Sequence, residues 1–174
     1  KGGSVIDPSK KKIQKKDILI KNKLLEAIED NISVDKMEFE VINCDNLFIS
    51  PGIVDMRVNI GEPGYEHKET IKSACMAAAS GGITSMVCMP NTSPAIDHPA
   101  IIRSIQRKAR EVALSKVFCT GCVTRGAEGI EICELQLMNE SGALAFTDGN
   151  KSVSNARVMK RALNYAKSFD GLII

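Results

Sequence analysis

From residue 51 onwards, short apolar segments typical of strands alternate with longer segments of helical periodicity. The apolar segments cover residues 53–60, 83–89, 116–123, 143–146 and 171–174, and the helical ones cover residues 66–80, 97–112, 128–140 and 154–169. This alternation predicts an α/β fold with helices packed outside a parallel sheet. Two closures remain open, a doubly wound open sheet and a (β/α)8 barrel. Since a barrel has eight strands, we expect either an open sheet or the first part of a longer chain.

The first 50 residues have a different pattern, with short strands separated by turns. Strands are predicted over residues 5–7, 39–43 and 46–50, with a hairpin formed by residues 17–22 and 23–28. A run of lysines lacks interleaved aromatic residues, which favours a solvated loop over an anion-binding patch; it comprises Lys10, Lys11, Lys12, Lys15 and Lys16. We therefore expect two domains, residues 1–50 and residues 51–174.

The first predicted strand of the second domain, residues 53–60, carries polar side chains at every second position. Alternate side chains of a strand share a face, so one face would be apolar and the other polar. The apolar face comprises Val54, Met56, Val58 and Ile60, and the polar face comprises Asp55, Arg57 and Asn59. Because buried charge is costly unless it is paired or bound, the polar face is predicted to line a cavity that contains a site.

Composition narrows the function classes. A hydrophobic fraction of 44% supports a core, and a net charge of +2 gives no case for nucleic acid or an anionic membrane. No apolar run approaches the roughly 20 residues of a membrane span. No secretory signal opens the chain, so we expect a cytoplasmic protein whose six cysteines are reduced. Cys119 and Cys122 form the one suggestive pair, and packing is favoured over a redox or zinc role because a second pair is absent.

Five blocks of the second domain carry a family resemblance. They run from Pro51 to Asp55, Glu62 to Ile71, Gly81 to Thr84, Val87 to Asp97 and Ala145 to Asp148, and the fourth contains the specific Met-Pro-Asn-Thr motif. In this order they resemble the dihydroorotases of the cyclic amidohydrolase superfamily. The resemblance implies an incomplete (β/α)8 TIM-like barrel of about five strands. It also implies that residues 1–50 are the N-terminal part of a small β-sandwich built from both chain ends.

The resemblance also implies a chemistry. Dihydroorotases interconvert carbamoyl aspartate and dihydroorotate in pyrimidine synthesis, using one or two zinc ions that activate water. In this family the first barrel strand supplies a His-x-His zinc motif, and an arginine precedes Glu-Pro-Gly. By resemblance Asn91 would bind the substrate carboxylate and Asp148 would be a metal ligand. The remaining catalytic residues would lie beyond Ile174.

Three positions depart from the family pattern. Arg57 and Asn59 stand where the two histidines are expected, and Gly61 stands where the arginine is expected. Arginine does not lose its proton in proteins and cannot ligate a cation, and asparagine offers a carbonyl oxygen better suited to hard ions than to zinc. Neither histidine of the chain, His67 or His98, is expected to replace them, since local hydrogen bonding or surface exposure is favoured for both. The family's usual second aspartate after Asp148 is also replaced, by Gly149.

Arg57 has two possible roles on such a strand. It could replace the positive charge of the metal and form a buried ion pair with Asp148 or Asp55, in which case its loss would cost roughly 3–5 kcal/mol. Alternatively, its side chain could extend to the open mouth of the barrel. The sequence favours the ion pair.

The replaced positions separate the possible functions. They favour a non-catalytic or metal-impaired dihydroorotase-like protein that supports aspartate transcarbamoylase. The alternatives are an active dihydroorotase with an atypical metal site and, less favoured because of Asn91, another cyclic amidohydrolase such as a hydantoinase or allantoinase. Because an incomplete barrel exposes two sheet edges, we expect an oligomer or completion by a further chain segment.

Overall fold

The computed structural model of the protein describes residues 1–35 and 37–174. The chain divides into two compact units, Lys1–Pro51 and Gly52–Ile174. Each unit contains one four-stranded sheet. Among the described residues, no helix combines the length and the apolar character that crossing a membrane requires.

The first unit is a small sheet built around a hairpin. Its strands are β1 (Gly3–Asp7), β2 (Lys12–Lys21), β3 (Leu24–Glu29) and β4 (Phe48–Ile49), in the order β3-β2-β1-β4. Strand β2 pairs antiparallel with β1 and β3, and β4 pairs parallel with β1. The hairpin between β2 and β3 is confirmed, with Asn22 and Lys23 both at positive φ, as a tight turn of this kind requires.

Two predictions for this unit are wrong. Lys12, Lys15 and Lys16 do not lie in a loop but in strand β2, where they pair with β1. Residues 39–43 form no strand, and the strand predicted over residues 46–50 shortens to Phe48–Ile49. The connection before β4 is instead held in part by the buried Asp17, whose carboxylate accepts the backbone N–H of Ile32 at 3.1 Å.

The second unit is a parallel sheet with helices between its strands. Strands β5 (Ile53–Val58), β6 (Ile83–Cys88), β7 (Lys116–Gly121) and β8 (Ala143–Phe146) lie in sequence order. The helices are α1 (Ile71–Ser80), α2 (Pro99–Val112), α3 (Leu135–Glu140) and α4 (Ala156–Lys167). The predicted fifth strand is reduced to a single parallel bridge between Phe146 and Ile173. The predicted α/β class with a parallel sheet is confirmed, and the arrangement is consistent with part of a TIM barrel.

The helices begin where their capping residues stand. Helix α1 begins five residues later than the periodicity predicts, because Thr70 and Ser73 form a reciprocal capping box that fixes its start. Helix α2 begins as predicted: the His98 side chain accepts the backbone N–H of Ala100 at 3.2 Å and Pro99 occupies the first turn. His98 therefore has a local structural role.

The core of the second unit lies between the sheet and these helices. The buried side chains of α1 and α2 recur at helical spacing, with Ile71, Ala74, Cys75 and Ala78 on α1 and Ile102, Ile105 and Ala109 on α2. Strand β8 contributes Phe146, which is fully buried. This packing holds the sheet and fixes the positions of its strand ends.

The helix predicted over residues 128–140 is largely wrong. Only Leu135–Glu140 is α-helical, preceded by a short 3-10 turn at Arg125–Ala127 and a bridge between Thr124 and Ile132. Gly129 adopts a positive φ of 74°, which interrupts a helix at this point. Consequently Ile130, which falls inside the predicted helix, is 74% exposed.

Candidate functional site

An open cavity of about 430 Å³ lies at the carboxyl ends of the strands in the second unit. Parallel strands bring their carboxyl ends to one edge of a sheet, where α/β proteins commonly bind ligands. Met56 and Arg57 from β5 line this cavity, together with Met89 after β6, Val123 after β7 and Asp148 after β8. The structure therefore brings together two of the predicted site residues, Arg57 and Asp148.

An irregularity in β5 changes which side chains face this cavity. Asp55 pairs with Met86 and Val58 pairs with Cys88, so three steps along β5 oppose two along β6. Such a bulge interrupts the alternation of side chains. Met56 and Arg57, which are neighbours on β5, both line the cavity, so the strict alternation predicted for this strand does not separate them there. Asn59 lies beyond the end of β5, is exposed and does not line the cavity.

Asp148 is buried and its carboxylate is directed at the turn that follows β7. Its Oδ1 accepts the backbone N–H groups of Val123 and Thr124 at 2.9 and 3.0 Å, and its Oδ2 accepts the Thr124 hydroxyl at 2.5 Å. The Thr124 hydroxyl oxygen in turn accepts the Gly129 N–H at 2.8 Å. Asp148 therefore anchors the segment that sequence periodicity mistook for a helix.

Arg57 does not form the predicted ion pair with Asp148 or Asp55. Its Nη2 donates to the side-chain oxygen of Asn150 at 3.1 Å, while Asp55 accepts the backbone N–H of Arg57 at 3.0 Å. The Asp148 carboxylate instead accepts hydrogen bonds from Val123 and Thr124. The guanidinium is exposed, which agrees with the alternative of a side chain that extends to the mouth of the strands.

Asn91 lies beside this cavity but does not line it. A Cβ atom added at Gly149 would stand 4.0 Å from the Asn91 Cβ, so the two residues are neighbours. The Asn91 side chain is exposed. Its role in binding a substrate carboxylate stays a prediction.

Sequence reasoning missed three residues of the site. Asn150 holds the guanidinium of Arg57, Lys151 lines the cavity and Thr124 donates to Asp148. Asn150 and Lys151 stand two and three residues after Asp148, close to the end of β8. This closeness in sequence was the one signal that could have indicated a role for them at the site. Thr124 offered no signal, because its role depends on a turn that local periodicity does not predict.

The residues of this segment do not fit the zinc ion that the resemblance implies. Arg57 cannot ligate a cation, and the Asp148 oxygens already accept three hydrogen bonds. Among the described residues, no group of three or more His, Cys, Asp and Glu side chains is arranged to hold a metal ion.

The cysteines near the site are buried free thiols. Cys122 and Cys133 pack beneath the cavity-side turn, and burial raises the pKa of both, that of Cys133 to about 12. A hydrogen bond to Cys119, together with burial, raises the pKa of Cys88. Cys119 and Cys122 are both fully buried, which agrees with the packing role predicted for them.

Comparison with known proteins identifies the family. Residues 46–174 match the family model described as dihydro-orotase-like. The chain belongs to this family. A dihydroorotase of Syntrophus aciditrophicus is 40% identical over all of the chain, and that of Aquifex aeolicus is 40% identical over 95% of it. The dihydro-orotase-like chain spans about two fifths of the length of these relatives.

A solved structure supports the fold of the dihydro-orotase-like chain. An L-hydantoinase (dihydropyrimidinase) from Arthrobacter aurescens superposes with a TM-score of 0.74 at 19% identity. The alignment covers 99% of this chain and 39% of the hydantoinase. At this identity the similarity concerns the fold alone.

Proposed function

We propose that the chain is the N-terminal part of a dihydroorotase-like protein of pyrimidine biosynthesis that lacks catalytic zinc at the first barrel strand. One observation carries this: Arg57, at the position expected for the first zinc-binding histidine, lines the cavity at the strand ends and is held by Asn150. A permanent cation at a metal-ligand position repels a metal ion. The protein would then have a supporting role, which we assign to assembly with aspartate transcarbamoylase in the cytoplasm.

The environment of Asp148 supports the same proposal. A carboxylate that holds a metal needs free lone pairs directed at the ion, whereas Asp148 directs both oxygens at Val123 and Thr124. In this role Asp148 is a structural anchor that retains the family's residue without its metal. Gly149, in place of the usual second aspartate, removes a further carboxylate from the same edge.

An active dihydroorotase with an atypical metal site is the second candidate. The observation that favours it is the retained Met-Pro-Asn-Thr motif, whose Asn91 is adjacent to Gly149 at the edge of the site. Such an enzyme would take its metal ligands from residues outside this segment.

Two measurements on the full-length protein separate the candidates. The first is cyclisation of carbamoyl aspartate, in parallel with an Arg57→His/Asn59→His double variant that restores the family motif. The second is co-purification with aspartate transcarbamoylase. The proposal predicts no turnover above the rate without protein and a stable complex with the transcarbamoylase. Zinc-dependent turnover by the unmodified protein would overturn it.

A further inference from the structure

A second cavity, of about 650 Å³, lies at the amino ends of β6 and β7, at the edge of the sheet opposite the candidate site. Thr84 of β6 and the first three residues of β7 line it, together with the residues that connect α2 to β7. All of its lining residues fall between positions 84 and 118, so neither end of the chain bounds it. Strand β8 pairs with β7 only from Cys119 onwards, so in the described part of the chain the cavity opens where β7 has a strand neighbour on one side alone.

The lining of this cavity is mainly apolar. Ala109 on α2, Ala113 and Leu114 after it, and Val117 and Phe118 on β7 supply the apolar atoms. Leu114 is 54% exposed although its side chain is large and hydrophobic. An exposed apolar side chain beside a concave surface is typical of a place where a partner buries an apolar group of its own.

A row of arginines leads along α2 to this cavity. Arg103, Arg107 and Arg110 stand four and three residues apart, a spacing that places them on one side of the helix. All three are exposed, and Arg110 lines the cavity together with Lys116. Arg103 Nη1 donates to the hydroxyl oxygen of Ser141 at 2.8 Å, a neutral partner that leaves its charge uncancelled. At a rise of about 1.5 Å per residue, the row extends over roughly 10 Å.

The positive charge of this row is only partly neutralised. Glu111, the one acidic residue of α2, forms an exposed ion pair with Arg107 at 3.8 Å. Within the described residues, Arg103, Arg110 and Lys116 take part in no salt bridge. The three arginines and Lys116, here called the arginine surface, therefore attract anions to the entrance of an apolar cavity.

We propose that the arginine surface docks an acidic segment of a partner protein, with an apolar side chain of that segment buried in the cavity. The shape favours a chain over a compact anion, because the cations extend along α2 beyond the cavity whereas the cavity lining is mainly apolar. Carboxylates of the segment pair with Arg103, Arg107 and Arg110, and Lys116 pairs with a carboxylate beside the buried apolar side chain. The inference does not depend on the proposed loss of zinc, since the surface lies at the opposite edge of the sheet.

Fluorescence anisotropy of a labelled peptide, in which a run of glutamates precedes one leucine, tests this surface on the full-length protein. The peptide should bind, and raising the salt concentration should weaken its binding. The triple variant Arg103→Gln/Arg107→Gln/Arg110→Gln should weaken binding about tenfold, because each exposed charge pair contributes modestly and three are lost together.

A matched control removes the same charge elsewhere on the second unit. Arg157→Gln/Lys160→Gln/Arg161→Gln changes three exposed side chains of α4 that lie outside the cavity. Peptide binding to this variant should stay within about twofold of the unmodified protein, because salt screens exposed charges away from the peptide.

Leu114→Ser tests the apolar part of the docking surface. This variant should weaken binding of the leucine peptide by about threefold or more, because the leucine then loses apolar contact in the cavity. It should leave unchanged the affinity of a peptide with alanine in place of leucine, which buries little there.

Four outcomes would overturn the inference. They are no binding of the leucine peptide at low salt, equal weakening by the α2 and α4 triple variants, equal affinities of the leucine and alanine peptides, and displacement of the peptide by an equal concentration of inorganic triphosphate. The last outcome would assign the surface to a compact anion. Zinc content and turnover of the same preparations bear on the proposed function alone, so the two proposals fail separately.

Discussion

Removing the Asp148 carboxylate should strongly destabilise the second unit. In Asp148→Ala, the buried N–H groups of Val123 and Thr124 lose the oxygen that accepts them, while the Thr124 hydroxyl can rotate towards another partner. Each buried donor left without a partner costs about 1–3 kcal/mol. Two such donors give an expected loss of about 2–6 kcal/mol in the free energy of unfolding.

A more conservative variant should separate hydrogen bonding from charge. Asp148→Asn keeps an oxygen in the position that accepts both backbone N–H groups, and its amide can donate to the Thr124 hydroxyl oxygen. We expect a smaller loss, about 1–2 kcal/mol, since a neutral acceptor forms weaker hydrogen bonds than a carboxylate. Glu111→Gln is the control, because Glu111 forms an exposed ion pair with Arg107 at 3.8 Å, and its loss should cost less than about 0.5 kcal/mol.

Urea denaturation of the full-length protein, followed by circular dichroism, measures these differences through the transition midpoint and slope. The expected order of destabilisation is Asp148→Ala, then Asp148→Asn, then the Glu111 control. If Asp148→Ala lies within about 0.5 kcal/mol of the unmodified protein, the carboxylate does not anchor the turn and the structural reasoning for this residue is refuted.

Four further predictions concern other residues. In urea denaturation, Arg57→Met should change the free energy of unfolding by less than about 1 kcal/mol, since the exposed guanidinium forms one hydrogen bond and no buried ion pair. A loss of roughly 3 kcal/mol or more, as for a broken buried ion pair, would contradict this. Gly64→Ala should cost about 2–4 kcal/mol in the same assay, because φ is +96° and the added Cβ meets a backbone carbonyl oxygen. Gly82→Ala should cost about 1 kcal/mol, because φ is +74° but the added Cβ has no atom within 4 Å. Equal costs for the two variants would refute the steric reason. Within this segment, iodoacetamide should modify Cys44 well before the five buried cysteines, as peptide mapping would detect; early modification of a buried thiol would argue against this packing. Backbone N–H groups of Ile32 and Gly2 lower the pKa of Asp17. The stability that Asp17 contributes is therefore present above its unfolded-state pKa of about 3.9 and is lost as the pH falls through its lower folded-state pKa. Asp17→Asn should lose less stability on acidification than the unmodified protein, and an unchanged pH dependence would count against these contacts.

The class of fold could be predicted because it rests on local signals. Strand β6 is a nearly continuous apolar run and α2 carries Pro99 and an apolar stripe, and both lie within a few residues of their predicted bounds. The start of α1 could not be predicted from periodicity, because the capping box at Thr70 overrides it. The prediction of a helix in the segment before α3 failed for a similar reason, since the glycines of this segment and a hydrogen bond from Thr124 to Asp148 stabilise a turn.

The site itself was predicted only in part. Arg57 and Asp148 were identified, yet their ion pair does not form, because each has a partner that the sequence does not place nearby, Asn150 for one and Thr124 for the other. The bulge in β5, which depends on register with β6, brings Met56 to the cavity against the simple alternation. Such long-range and register-dependent contacts are set by the whole sheet.

The loss of a zinc site at β5 and Asp148 is most directly tested by the zinc content of the full-length protein, measured by elemental analysis after dialysis in a zinc-containing buffer. We predict that the unmodified protein and the Asp148→Asn variant retain the same amount of zinc, since Arg57 cannot ligate an ion and the Asp148 carboxylate is directed at Val123 and Thr124. Zinc that is retained at one ion or more per chain, and lost in Asp148→Asn while the variant remains folded, would contradict this.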